Sequence, residues 1–526
     1  MTDCMRRCEN WNQGLEVMSR GGELFAYFFS STIFVVTGRT GPVNFFDFIS
    51  AAPSPLYHVH TVYRQKISVL QHNPALHVPL RPGDPTPVQR NLNPAMHPFA
   101  KARERTRALN AAKLDKIFAK PFVDSLEGHI DAVEVLTKPL ESLTTVASGS
   151  WDGGLILHNL HTRSEMLKIP QAHKGKISGL CFADSKGNRL LSCSVDRHVR
   201  LWRVGNGDGE DDAMSSSQDP LHVFPWKTSF NSIDHHRSDP LFATASSTVQ
   251  IWDETKSAPV SNLTFPTSNE TVSSVRFNLA EPSVLASVGS DRTFTLYDIR
   301  TGKAERRVVM QFRSNALSWS PTLPTMALLA SEDHNLYTFD VRHMNAPVQI
   351  YKGHVAAVMS CEWAPTGVEF VSGGWDRTVR IWNSREAGGK EKGPGGREVV
   401  YHTKRMQRVT STIYSSDARY VLSGSDDGNV RIWKAKASDK LGVITARERA
   451  AMEYRETLVK RWAVDKDVGR VQRTRHLPKA VYKAGQLKHT MLEARRVKEE
   501  RRRKHTRAGE QKPTAEKKKT IIAEQS

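Results

Sequence analysis

The chain has 526 residues, 39% of them hydrophobic and 25% charged, with a formal net charge of +20. That length exceeds one ordinary core, so several regions or a repeat fold are required. The basic excess is concentrated: residues 434–526 hold 27 Lys or Arg against 12 Asp or Glu, net +15, which leaves +5 for residues 1–433 and points to polyanionic partners for the tail.

Taken in chain order, residues 1–90 read as a poorly structured extension. The run LFAYFFSSTIFVVT at 24–37 is apolar for fourteen positions, short of the roughly twenty a membrane span needs, and no small-residue cleavage site succeeds it. Residues 91–120 have helix-forming composition. In Pro98–Phe122, Phe99, Leu109, Leu114, Ile117 and Phe118 offer apolar contacts and Pro121 ends the run, which predicts one or two helices docked on the repeat region.

Residues 121–434 carry that repeat. Small residues, a turn Asp and an alternating apolar run ending in an aromatic recur as VASGSWDGGLILHN, LLSCSVDRHVRLWR, LASVGSDRTFTLYD, LLASEDHNLYTFD, FVSGGWDRTVRIWN and VLSGSDDGNVRIWK. A seventh phrase, FATASSTVQIWD, has Ser246 in place of the Asp. The terminal positions His158, Trp202, Trp252, Tyr297, Phe339, Trp382 and Trp433 are 44, 50, 45, 42, 43 and 51 residues apart. Asp152, Asp196, Asp291, Asp333, Asp376 and Asp427 each lie six residues before theirs. This period predicts an all-β, seven-bladed WD40 propeller with an N-terminal helical segment and a basic α-helical C-terminal tail. Pro121–His129 is expected to supply the outer strand of the last blade and close the ring.

A turn Asp can accept hydrogen bonds from a nearby His and from turn amides. His129, His173, His354 and His402 precede their Asp by 23, 23, 22 and 25 residues, and Ser148, Ser192, Ser372 and Ser423 each precede it by four. With Trp202, Trp382 and Trp433 they form an expected structural network inside the blades. A hydrolase would need one nucleophile, one base and one oxyanion hole, whereas this grouping repeats around the ring, so no enzyme is expected. The blades are uneven: blade 3 lacks a clear Gly-His, and Leu329 stands where blade 5 would carry the Ser. Residues 205–219 and 387–397 read as disordered excursions. The cysteines, at 4, 8, 181, 193 and 361, contain no CxxC pair, so neither a metal site nor a cofactor is expected and a reducing compartment is the simple reading.

Residues 435–508 read as a basic helical domain. Thr445 and Glu448 form a capping box ahead of TARERAAMEYRETLVKRW, whose Ala451, Tyr454, Leu458 and Trp462 make an apolar stripe. A second run, LPKAVYKAGQLKHTMLEARRVKEERRRKHTR, carries Leu487, Met491 and Ala494 on one face. The candidate RNA or particle contacts are Arg447, Arg449, Lys460, Arg461, Arg473, Arg475, Lys479, Lys483, Lys488, Arg495, Arg496, Arg501, Arg502, Arg503 and Lys504. Such contacts give affinity that depends on salt and is largely blind to base sequence. Arg501–Lys504 and Lys517–Lys519 are also of the nuclear-import kind. Residues 509–526 are expected to be disordered.

The phrases RNLNPAMHPFAKARERTRALNAAKLDKIFAKPF, KLGVITARERAAMEYRETLVKRW and RHLPKAVYKAGQLKHTMLEARRVKEERRRKHT resemble the SOF-domain WD-repeat proteins. The resemblance covers about residues 90–507 and implies a nucleolar scaffold of the U3 small nucleolar ribonucleoprotein and small-subunit processome. Its partners would be the proteins of that particle and pre-rRNA or snoRNA phosphates, with no membrane and no small-molecule substrate. Some relatives are implied to serve instead as substrate receptors of a cullin-4 ubiquitin ligase, through an adaptor that reads WD-x-R boxes. Asp298 with Arg300 and Asp340 with Arg342 keep the Asp and Arg of such boxes while Tyr297 and Phe339 replace the Trp. Residues before about 66 match nothing in the family and are read as a gene-model artefact or a lineage-specific addition.

Overall fold

In the computed structural model the residues described are 19–20, 23–24, 97–204, 219–263, 271–384, 399–474, 476–507, 510 and 515–525. The expected N-terminal extension lies almost wholly outside them, apart from a two-residue antiparallel ladder between Ser19–Arg20 and Glu23–Leu24. Residues 205–218 of the first expected excursion, all of the second, and Arg475 also lie outside them.

Seven antiparallel blade sheets, six of four strands and one of five, succeed one another along the described residues. Blade 1 opens with Val133–Thr137 and blade 7 ends on Val430–Lys434, whose outer neighbour is Phe122–Leu126 from before blade 1. The ring therefore closes through the strand that the sequence assigns to it.

The repeat is a register as well as a pattern. On the third strand of every blade the terminal residue faces one hydrophobic partner of the second strand: His158↔Val146, Trp202↔Leu190, Trp252↔Phe242, Tyr297↔Leu285, Phe339↔Ala327, Trp382↔Phe370 and Trp433↔Val421. All fourteen are buried. Their sheets are covered on both faces, which is why the strands read as near-continuous apolar runs.

In six blades the hairpin between these strands contains the Asp, and the residue after it takes a positive φ: Gly153 (77°), Arg197 (68°), Arg292 (64°), His334 (74°), Arg377 (60°) and Gly428 (78°). A left-handed residue costs about 1–2 kcal/mol when it carries a Cβ. The Asp carboxylate offsets that cost by accepting the amide two residues on, as from His198 (3.0 Å), Thr293 (3.1 Å), Asn335 (3.0 Å) and Thr378 (3.1 Å). Blade 3 has a tighter turn, pairing Ala245 with Val249 where blade 2 pairs Cys193 with Val199. There Ser246 accepts the Thr248 amide at 3.4 Å, and no residue of positive φ is needed.

Four longer elements lie outside the blades: α1 (Ala100–Ile117), α2 (Ala446–Arg461), α3 (Lys466–Arg473) and α4 (Lys479–Lys504). The capping box of α2 forms, Glu448 N donating to Thr445 Oγ1 and Thr445 N to Glu448 Oε2, both at 3.3 Å. The expected apolar face of α1 is corrected in part. Phe99, Leu114, Ile117 and Phe118 are exposed, while Leu109 packs, half-buried, beside Ala108, Ala111 and Ala112, which are buried against Leu458, Val459 and Val468 of α2 and α3. Small residues let the helices approach closely, and ion pairs flank the contact: Arg105 with Asp465 (3.1 Å) and Asp467 (2.6 Å), and Arg461 with Glu104 (2.7 Å).

The expectation of disorder over 509–526 is corrected for residues 515–525. Glu516–Lys519 forms a short turn of helix, and Ile521–Gln525 adds a fifth strand to blade 4 along Lys303–Met310, Val308 facing Glu524 and Val309 facing Ala523. Ile521 packs on the core shared by blades 4 and 5, and Gln311 N donates to Thr520 O at 2.9 Å. Edge pairing and the burial of one β-branched side chain hold a segment that its Lys-rich flank had marked as solvated.

Candidate nucleic-acid and partner-docking surfaces

The Ser, His and Asp residues form closed networks in two blades. In blade 6, Trp382 Nε1 donates to Ser372 Oγ (2.8 Å), Ser372 Oγ lies 2.7 Å from His354 Nε2, and His354 Nδ1 lies 2.9 Å from Asp376 Oδ2. Blade 2 repeats this with Trp202 (2.8 Å), Ser192 (2.7 Å), His173 (3.0 Å) and Asp196. Ser192 and Ser372 are fully buried, so neither hydroxyl can reach a substrate. Burial alone would push the Asp196 carboxyl up, but the hydrogen bond and charge of His173 and the turn amides bring it down to about 2. Asp376 is held well below the carboxylate range in the same way: burial is outweighed by His354, Arg380 and Thr378.

Elsewhere the expected His–Asp contact is replaced. In blade 1, Ser148 Oγ sits between two imidazoles, His129 Nε2 at 2.8 Å and His158 Nε2 at 3.2 Å, while Asp152 accepts only the amides of Ile130 (3.2 Å) and Gly154 (2.6 Å). In blade 4, Arg307 Nη2 reaches Asp291 at 2.7 Å, and in blade 5 Asp333 accepts from Asn335 and the Tyr337 hydroxyl. In blade 7 Trp433 donates to Ser423 (2.8 Å), but Asp427 is held by Arg431 and Ser425. His402 is corrected: its ring stacks on His476 ahead of α4, with centroids 5.6 Å apart and planes 5° apart. A buried carboxylate needs a donor, and Arg, Tyr or His each satisfies it. What the six aspartates share is the turn, one per blade, rather than a common pocket.

The two candidate boxes end the third strands of adjacent blades. Arg342 grips its own Asp340 in a fork, Nε to Oδ1 at 3.1 Å and Nη2 to Oδ2 at 2.9 Å, while Arg300 lies 3.6 Å from Asp298. Both guanidinium groups face solvent, 69% and 80% exposed. Arg306 of blade 4 donates to the carbonyls of Val341 (3.1 Å) and Arg342 (3.2 Å), which links the boxes.

The basic candidates divide. α4 is 26 residues long with no buried residue, and Lys479, Lys483, Arg495, Arg496, Arg501 and Arg502 are exposed along it. Arg503 and Lys504 pair with Glu499 (3.2 Å) and Glu500 (3.3 Å) one turn back. Arg447 is exposed, Arg449 half-buried, and Lys460 pairs with Glu456 (3.3 Å). Three candidates make contacts within the chain: Arg461, still 73% exposed, pairs with Glu104 of α1 (2.7 Å), the exposed Arg473 donates from Nε to Gly469 O (3.0 Å), and the half-buried Lys488 donates from Nζ to His354 O (3.3 Å). Burial lowers the Lys488 ammonium from its ordinary value. Lys488 therefore ties α4 to the end of the ring that carries the turn aspartates, and the start of α4 shares a cleft with Trp375, Arg377 and Lys404.

Comparison with known proteins places these elements. A Sof1-like domain matches residues 435–521, and WD domain, G-beta repeats match 164–203, 345–383 and 398–434. The DDB1- and CUL4-associated factor 13 of Xenopus laevis is 41% identical over 458 residues, 87% of this chain and 99% of that protein. The human protein of the same name is 40% identical over 459 residues, again 87% and 99%. Protein SOF1 of Saccharomyces cerevisiae is 38% identical over 456 residues, 83% of this chain and 91% of its own. Among solved structures, the WD40 propeller domain of Doa1 is 20% identical with a TM-score of 0.48, covering 60% of this chain and 96% of that one. With relatives matched over nearly their whole length, and with a ring of WD repeats that leads into a helical Sof1-like region, the chain belongs to the Sof1-like WD-repeat family.

Proposed function

We propose that this protein is a non-catalytic scaffold of the small-subunit processome and U3 small nucleolar ribonucleoprotein, required for pre-rRNA processing and maturation of 18S rRNA in the nucleolus. Family membership supports the reading. The observation that carries it is α4, an exposed basic helix fixed to a ring whose Ser148, Ser192, Ser372 and Ser423 hydroxyls are buried inside the blades. The ring offers surfaces to protein neighbours, and Lys479, Lys483, Arg495, Arg496, Arg501, Arg502, Arg503 and Lys504 offer charge to pre-rRNA or snoRNA phosphates. Depletion should accumulate uncleaved pre-rRNA and reduce 18S rRNA; normal 18S production in depleted cells refutes the reading.

A second reading has its own support, because the vertebrate relatives are named as DDB1- and CUL4-associated and the Asp298/Arg300 and Asp340/Arg342 boxes lie exposed on adjacent blades. Substrate reception for a cullin-4 ligase predicts that Arg300→Ala with Arg342→Ala abolishes co-purification of the adaptor. Unchanged co-purification leaves the boxes as ordinary blade ends.

A further inference from the structure

The end of the ring reached by α4 carries two exposed tryptophans at equivalent positions. Trp375 immediately precedes the turn Asp of blade 6 and Trp151 that of blade 1, and their amides donate to the matching carbonyls Ala357 O (3.0 Å) and Ala132 O (2.9 Å). Each indole is capped by a cation from the entry of the next blade: Arg408 lies 4.8 Å from the Trp375 ring centroid, and Lys176 lies 5.1 Å from that of Trp151. The indoles nonetheless stay 43% and 44% exposed. In the other blades this position is Val195, Ala245, Ser290, Glu332 or Asp426, so nothing in the turn itself requires a large aromatic.

The surroundings of Trp375 are basic. The exposed Arg377 and Lys404 line the cleft on Trp375, and Lys479 of α4 shares it. Asp426 in the blade 7 turn, Asp131 ahead of blade 1 and Asp152 next to Trp151 are exposed acids, and Glu134 is engaged by Trp151 Nε1 (2.7 Å) and Lys176 (3.8 Å). Cations gather at Trp375, while at Trp151 Lys176 is accompanied by carboxylates, a pattern that fits a strand whose phosphates are held at Trp375 and α4 and whose bases reach on toward Trp151.

We propose that Trp375 and Trp151, with Arg408, Arg377, Lys404 and Lys176, form a stacking platform for single-stranded RNA that continues the basic surface of α4 onto the ring. The platform deepens the scaffold reading and rests on the tail engaging RNA. Every base has a π-face, so indoles beside cations bind single strands with little sequence preference, whereas paired bases cannot open onto them.

The test is fluorescence anisotropy of the full chain with a labelled oligouridylate of about twelve nucleotides, against a duplex RNA and polyglutamate, at several salt concentrations. Trp375→Ala and Trp151→Ala should each weaken oligouridylate binding about tenfold without changing the slope against salt. Neutralising Arg501, Arg502, Arg503 and Lys504 should instead flatten that slope. If the double Trp variant melts at the native temperature and binds as tightly as the native chain, the platform is refuted while the tail reading survives. Failure of the native chain to bind RNA removes both, and preferential binding of polyglutamate makes the face a dock for acidic protein. Should the Trp variants misfold, 4-thiouridine crosslinking of the native chain decides: adducts at Trp375 or Trp151 are expected, and adducts confined to α4 refute the platform.

Discussion

Asp376→Ala tests whether the turn aspartates hold the blades. Asp376 Oδ2 lies 2.9 Å from His354 Nδ1 and 3.2 Å from Arg380 Nη2, while Oδ1 accepts from Thr378 N (3.1 Å) and Thr378 Oγ1 (2.6 Å). The side chains of His354, Arg380 and Asp376 are 0%, 3% and 2% exposed. Removing the carboxylate takes the ionic partner from a buried guanidinium and the acceptor from a buried imidazole nitrogen. Breaking a buried charge pair costs about 3–5 kcal/mol, and about 4 kcal/mol is expected here. Asp152→Ala is the control, because that exposed carboxylate accepts only two amides, worth about 1 kcal/mol together. Urea unfolding monitored by tryptophan fluorescence, with hydrogen exchange over residues 358–383, reads both the size and the place of the loss. Equal costs for the two variants would refute the reasoning. The sign with pH comes from the lowered carboxyl: the contribution of Asp376 is complete above the unfolded value near 4 and is lost as pH falls through its folded value.

Acid should also weaken blade 1. Burial lowers His158 from 6.5 to about 4, so its neutral form is favoured in the fold; that stability is complete above pH 6.5 and shrinks as pH falls toward 4, by about 2 kcal/mol at pH 5. His158→Phe should reduce the difference between melting temperatures at pH 7.5 and pH 5, and an unchanged difference would contradict the assignment. Ile521→Asp should detach the fifth strand of blade 4, raising amide exchange along Lys303–Met310 while shifting global stability by about 1–2 kcal/mol; unaltered exchange there would mean that the pairing contributes little.

The ring was legible because its turns impose a fixed count. The interval from Asp to terminal aromatic is set by hairpin geometry, so six copies appear in the letters themselves. The donors to those aspartates were less legible, since burial demands a partner without dictating whether it is His173, Arg307 or Tyr337. His402 escaped because its place is set by His476, 74 residues away in sequence. The contact face of α1 was only partly legible because, apart from Leu109, alanines rather than its large side chains meet α2 and α3. Of the outward sites, the basic run of α4 is plain in the sequence, whereas the paired positions of Trp151 and Trp375 acquire meaning only once blades 6, 7 and 1 stand side by side.

The closing strand has a consequence for synthesis. Phe122–Leu126 leaves the ribosome before any blade, yet its partner Val430–Lys434 is among the last β-segments translated. Six blades can therefore assemble while the ring is still an open arc with one unmatched edge at each end. Bringing those edges together costs loop entropy that rises only slowly with length, and the interval until they meet is when the nascent arc is most exposed to mispairing and most in need of a chaperone.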